Sequence, residues 1–345
     1  MNFILDSMTD LPYFVPLVLE GNKRGLRSIF FLKKDSKKYK KYNSPYHNKN
    51  AKFLVSLSNH LNIKLLQEDD VKSYHGLTFL LEGGGTHNLS SNHLIVSLVR
   101  LTDFTILYQK YINSVDFVIF PSEFIAKYYD KPWIYPIGNL KAGNTHTDKN
   151  LYLGCPKYDI IPSKEDVFKK IKQLNPSDKY CLIVAPQVSL MQKANEFKNL
   201  INSISKLGYK ILVKARGKDP APSYFRGDYY FEDSCWYPHD TMSLLTISDF
   251  YINFGSTVVK EGIMLKKPSI NFELKSYRHF DFLFDQKFNV CFEDMTDMSK
   301  ISEAINFITT NNFDEEFNRV QKKYIQPSQN SSKKIIDYFE NLGKK

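Results

Sequence analysis

The stretch Asp249–Glu273, DFYINFGSTVVKEGIMLKKPSINFE, has the residue types and spacing nearest to chemistry. An apolar strand ends at Phe254, Gly255 permits a sharp turn, and Ser256 and Thr257 open a helix. Unsatisfied N–H groups at the positive end of a helix dipole make such a turn an anion site, suited to a diphosphate. Glu261 falls about one turn into that helix, on the face of Thr257, where a carboxylate can accept two ribose hydroxyls. The same pattern also describes an ordinary strand-to-helix turn with a capping serine and a surface glutamate. Lys214 and Arg216, in KILVKARG, sit where another strand ends and could neutralise phosphate charge. The segment DSCWYPHD adds Trp236 and Tyr237 as a base-stacking wall and His239 as a diphosphate ligand.

The first half offers groups for proton transfer. Glu82 ends a strand and is followed by Gly83, Gly84, Gly85, Thr86 and His87. Three glycines let a ligand approach the backbone closely. Glu82, or else His87, is a candidate base for an acceptor hydroxyl. Asp6 and Asp10 follow the first strand and come next, although Asp10 also suits a helix cap. No Asp-x-Asp pair occurs, so no metal site is expected and the helix dipole, Lys214 and Arg216 are left to stabilise a departing diphosphate.

These residues need strands to place them. Asn2–Leu5, a helix from Leu11 to about Glu20, and Ser28–Leu32 read as strand, helix, strand, which specifies a parallel sheet. The alternation continues through Ile63–Leu66, Leu77–Glu82 and Phe117–Phe120. It resumes at Tyr180–Ala185, Lys210–Lys214, Asp228–Glu232, Asp249–Phe254, Pro268–Phe272 and Asn289–Phe292. A polar, Gly-containing stretch at 138–149 and two prolines near 155–162 mark a linker. The expected architecture is α/β, with two Rossmann-like doubly wound parallel-sheet domains facing a cleft. Residues 1–157 form the acceptor-side domain, 158–325 the nucleotide-donor domain, and 326–345 a terminal helix that could pack back across the interface.

The chain has 345 residues, which fits two domains at roughly 100–200 residues each. With 42% hydrophobic, 14% aromatic and 24% charged residues, global disorder is excluded. Four separated cysteines without a CxxC pair argue against a zinc site or a disulfide framework. The N-terminus lacks a basic region ahead of its apolar stretch and does not read as a signal peptide. A cytoplasmic protein is expected. Of the formal net charge of +10, much lies in Lys33–Lys52, which carries eight lysines and one aspartate. That segment could dock peripherally on an anionic membrane at its inner face, or be a solvated loop. Nucleic acid is not the expected partner.

Gly154, Pro156 and Asp159, then Lys214, then Asp249, Gly255, Ser256, Glu261 and Pro268 form a series. Over about residues 150–275 it resembles the C-terminal half of GT-B-fold enzymes. Its pattern is closest to the teichoic-acid-type glycerophosphotransferases and the UDP-N-acetylglucosamine 2-epimerases. Ala215, Arg216 and Gly217 follow the lysine where the glycerophosphotransferases carry a His-Pro pair. The resemblance therefore implies a metal-independent glycosyltransferase, with a nucleotide sugar as co-substrate and a glycan or lipid-linked glycan as acceptor. Glycerophosphate transfer or 2-epimerisation on the same fold is the alternative. A non-catalytic binder of anionic polymers stands further off.

Overall fold

A computed structural model describes residues 1–33, 43–82, 89, 91–99, 114–129, 148–185, 194–215, 220–273, 283, 285–325 and 330–343. The chain divides into two compact units, Met1–Ile160 with Lys322–Lys345, and Ile161–Gln321.

The first unit is built on seven parallel strands: β1 (Asn2–Leu5), β2 (Ser28–Leu32), β3 (Ile63–Gln67), β4 (Gly76–Leu81), β5 (His93–Leu98), β6 (Phe117–Phe120) and β7 (Asn150–Tyr152). Their order is β3-β2-β1-β4-β5-β6-β7. Short unbroken apolar runs such as NFIL and SIFFL suit strands covered on both faces, and every residue of β1 is buried. Phe3 lies 5.3 Å from each of Phe14, Phe30 and Phe79, so β1 and the helix Leu11–Lys23 share one aromatic core. β5 and β7 were not expected from the sequence. β5 follows a polar stretch, and β7 has three half-buried residues after one.

The helix Ser331–Leu342 belongs to this unit, although the chain between forms the other. Phe339 meets Phe79 and Phe117 edge-on at 6.2 and 5.5 Å. Arg24 Nη1 reaches Asp337 and Glu340 at 2.7 and 2.8 Å. The helix start is held by Asp159 of the GCPKYD linker, whose carboxylate accepts the N–H groups of Asn330, Ser331 and Ser332 at 3.2, 2.8 and 2.6 Å. One remote carboxylate thus satisfies donors that a helix leaves unpaired. Asp159→Ala should lower the unfolding free energy by about 1–2 kcal/mol, as for loss of a strong cap. Asp159→Asn should cost less in the same urea titration, because the amide oxygen still accepts. Equal losses would show that the cap is not what holds the helix.

The second unit has six parallel strands: β8 (Lys179–Val184), β9 (Tyr209–Lys214), β10 (Tyr229–Phe231), β11 (Phe250–Asn253), β12 (Ser269–Phe272) and β13 (Asn289–Phe292). They are ordered β10-β9-β8-β11-β12-β13. β8 shows why both faces are covered. Cys181 and Ile183 pack toward Phe197, Leu200 and Ile204 of the helix Ala194–Lys206. Tyr180, Leu182 and Val184 pack toward Leu244, Leu245 and Ile247 of the helix Asp240–Ile247. Side chains alternate along a strand, so one run of apolar residues feeds two cores.

In each sheet the order reverses at one place, between β1 and β4 and between β8 and β11. Open α/β sheets bind ligands outside the carboxyl ends of their strands at such a reversal. Each unit therefore has one edge at which a site is expected.

Candidate functional site

At the carboxyl edge of the second sheet, Asn253 and Asn271 stand in register on β11 and β12. Both are buried, at 0% and 2% exposure. Asn271 Oδ1 accepts the Gly255 N–H at 2.9 Å, and Asn253 Oδ1 accepts the Ser256 N–H at 3.1 Å. Asn253 Nδ2 donates back to the Ser256 carbonyl at 2.9 Å. Gly255 has φ +66, the left-handed conformation that glycine adopts without strain. The turn is therefore built in advance by two side chains. The N–H groups of Gly255 and Ser256 are thus not open to an anion, whereas the sequence reading invoked free N–H groups at the start of a helix opened by Ser256 and Thr257. The helix also starts later than expected, at Val259 rather than Ser256, and ends at Met264. Ser256 is half-buried and Thr257 is exposed, so their hydroxyls are what this turn offers a ligand. The sequence carried a signal for both asparagines: Ile-Asn-Phe occurs twice, at 252–254 and 270–272.

Glu261 lies within that helix at 6% exposure. Burial in the first place, and Glu261 as a negative charge, hold the Tyr251 phenol well above its ordinary range. Gly262 is required beside it: a Cβ there would stand 2.3 Å from the Tyr251 hydroxyl. Glu261 is thus packed over β11 rather than on a solvent face. The surface reading of this residue is excluded, and the ribose contact becomes a proposal.

Lys214 ends β9 as the sequence implied, but its ammonium turns inward. It is 4% exposed, donates to the Ala215 carbonyl at 2.8 Å and pairs with Asp233 Oδ1. A buried ammonium requires such a counter-charge. Asp233 also faces His239, whose Nε2 is 3.8 Å from the same oxygen. His239 caps the helix Asp240–Ile247, its Nδ1 accepting the Thr241 N–H at 3.3 Å. Asp240 fixes the preceding loop by accepting the Ser234 and Cys235 N–H groups at 2.7 and 2.8 Å. Trp236 is 2% exposed and its ring lies 5.8 Å from that of His239. It buttresses the histidine and does not present the base-stacking face expected from DSCWYPHD. Asp233 and Asp240 were missed because neither forms a motif; their partners come from a strand end and from loop backbone.

At the carboxyl edge of the first sheet, β1 pairs with β4 in the register Asn2↔Thr78 and Phe3↔Phe79. Carrying that register forward places Asp6 level with Glu82. Asp6 Oδ1 lies 3.6 Å from Lys33 Nζ at the end of β2. Glu82 has φ 56, and its N–H donates to the Leu98 carbonyl at 2.9 Å. A left-handed glutamate is a strained residue, of the kind that clusters at active sites. Asp10 is 3% exposed, and its Oδ2 accepts the Asp6 and Ser7 N–H groups at 3.1 and 3.0 Å. It makes no side-chain cap to the helix Leu11–Lys23; it holds the turn that carries Asp6.

His87, Arg216 and Lys34–Lys41 of the lysine segment lie outside the described residues. Among the described residues no group of three or more His, Cys, Asp or Glu stands together as a metal site, and no helix is long and apolar enough to cross a membrane.

No protein-family model matches the sequence, and no curated protein matches it. Solved structures do. The wall teichoic acid polymerase TagF aligns with a TM-score of 0.67 and 13% identity, covering 99% of this chain and 88% of the polymerase chain. The UDP-GlcNAc 2-epimerase from Neisseria meningitidis, bound to UDP-GlcNAc, aligns at 0.65 with 11% identity and 99% of both chains. The UDP-GlcNAc 2-epimerase from Methanocaldococcus jannaschii gives 0.63, 11% and 99% of both chains. The fold is GT-B-like. The alignment covers 99% of this chain, so the likeness of fold reaches beyond residues 150–275 into both units. At these identities it speaks for fold alone.

Proposed function

We propose that this GT-B-like protein is a glycosyltransferase moving a sugar from a nucleotide-sugar donor to a glycan or lipid-linked glycan acceptor. The observation that carries the reading is the match, over 99% of both chains, to an epimerase holding UDP-GlcNAc. The donor belongs at the carboxyl edge of the second sheet. There Ser256 and Thr257 supply hydroxyls, His239 caps a neighbouring helix, Glu261 meets the ribose, and Arg216 is proposed as a further cation for the diphosphate. The acceptor belongs at the edge of the first sheet, with Glu82 or His87 as base. The nucleotide sugar is a co-substrate, and the reading invokes no metal. Docking of Lys33–Lys52 on an anionic membrane would suit a lipid-linked acceptor. Glycerophosphate transfer and 2-epimerisation remain the second reading, favoured by the fold shared with TagF and with the epimerases.

A nucleoside diphosphate should raise the melting temperature of the full chain. At one hundred times its dissociation constant it should add about 2.7 kcal/mol of stability. No shift with UDP, CDP, GDP, ADP or the cytidine monophosphate sugars would overturn the donor site. Product analysis without acceptor then separates transfer from epimerisation.

A further inference from the structure

Lys214, Asp233 and His239 form a chain of charge from the sheet interior to its carboxyl edge. We infer that Asp233, with Lys214 behind it, is a positioning residue that sets the charge of His239, whose tautomer the Thr241 N–H fixes. His239 Nδ1 accepts the Thr241 N–H, so the neutral ring carries its proton on Nε2, the side 3.8 Å from Asp233 Oδ1. That oxygen also faces Lys214, which pairs with it from the buried side. Charged groups from four elements lie along this network. Lys214 ends β9, Asp233 follows β10, and Asp240 opens the helix that His239 caps. Lys170, in the helix Lys164–Lys170, lies 3.9 Å from Asp240.

The balance is between opposed effects. Asp233 favours an imidazolium, and Lys214 offsets Asp233. A proton on Nδ1 would also take from Thr241 N–H its acceptor at the positive end of a helix, which opposes the cation. The neutral ring carries its one proton at a fixed atom, and a fifth of its side chain is exposed. On the reading of this edge as the donor site, on which this role rests, the ring meets a diphosphate as a single neutral donor.

The test is an NMR titration of the histidine ring nitrogens in the full chain. The wild type should show the Nε2–H tautomer for His239. Asp233→Asn should lower its pKa by about one unit, Lys214→Met should raise it by a similar amount, and the double variant should fall between. Shifts in one direction for both single variants would overturn the inference. Should Lys214→Met fail to fold, Asp233→Asn alone decides: an unchanged pKa overturns it. The nucleoside diphosphate that stabilises the wild type should bind Asp233→Asn about tenfold more weakly, as for a weakened hydrogen bond to a charged group. Unchanged affinity would overturn the positioning role at the donor. If no nucleotide binds the wild type, the donor reading falls, while the titration still judges the charge chain.

Discussion

Lys214→Met should lower the unfolding free energy by about 3–5 kcal/mol, the cost of breaking a buried ion pair from one side. The magnitude follows from burial. An exposed pair contributes only about 0–1 kcal/mol, because water already solvates both ions. Here the lysine side chain is 4% exposed and the aspartate 13%, so removing the ammonium takes its counter-charge from a largely buried carboxylate. His239, with Nε2 at 3.8 Å, can take up part of the charge only by protonating at the expense of its cap. The double variant Lys214→Met/Asp233→Asn should recover most of the loss, since a neutral pair of similar shape carries no unpaired charge. Urea titrations of both single variants and the double variant measure this coupling directly. A loss below about 1 kcal/mol for Lys214→Met would show the pair to be solvated like a surface one.

The same residues show what a sequence reveals and what it hides. All strands but β5 and β7 were legible because each is a compact apolar run, and their alternation with helices gave the parallel sheets. Gly255, Lys214 and Glu82 were legible as strand ends, which is where such sheets carry function. The groups that hold those ends were not. Asn271 is sixteen positions from the Gly255 N–H it accepts, Asp233 is nineteen from Lys214, and Asp159 is more than 170 from the helix it caps. A single chain gives no sign of such partners, because their chemistry exists only once the sheet order is known. Propensity failed where an element was short. The Ser256 helix looked one turn longer because Ser and Thr are good N-terminal residues, yet here the turn is closed by asparagines from two strands. β7 escaped notice because three half-buried edge residues after a polar stretch carry no period to read.

Glu82→Gln should cut turnover by about 10²–10⁴-fold, the contribution of a positioned general base, with donor affinity little changed. The case rests on position and on strain. Glu82 closes β4 at the reversal of the first sheet, level with Asp6. Asp6 is already drawn to Lys33, and Asp10 is committed to backbone N–H groups. A left-handed backbone at a side chain of this size costs about 1 kcal/mol or more that glycine would not incur. Glu82→Gly should therefore be as stable as the wild type or more stable, while losing at least as much turnover as Glu82→Gln. That opposition separates a functional carboxylate from a structural one: a residue kept for packing would lose stability on becoming glycine. If Glu82→Gln turns over normally and His87→Ala does not, the base is His87. If both turn over normally, the proton is taken by Asp6 or Asp10, or the transfer retains configuration and uses no such base.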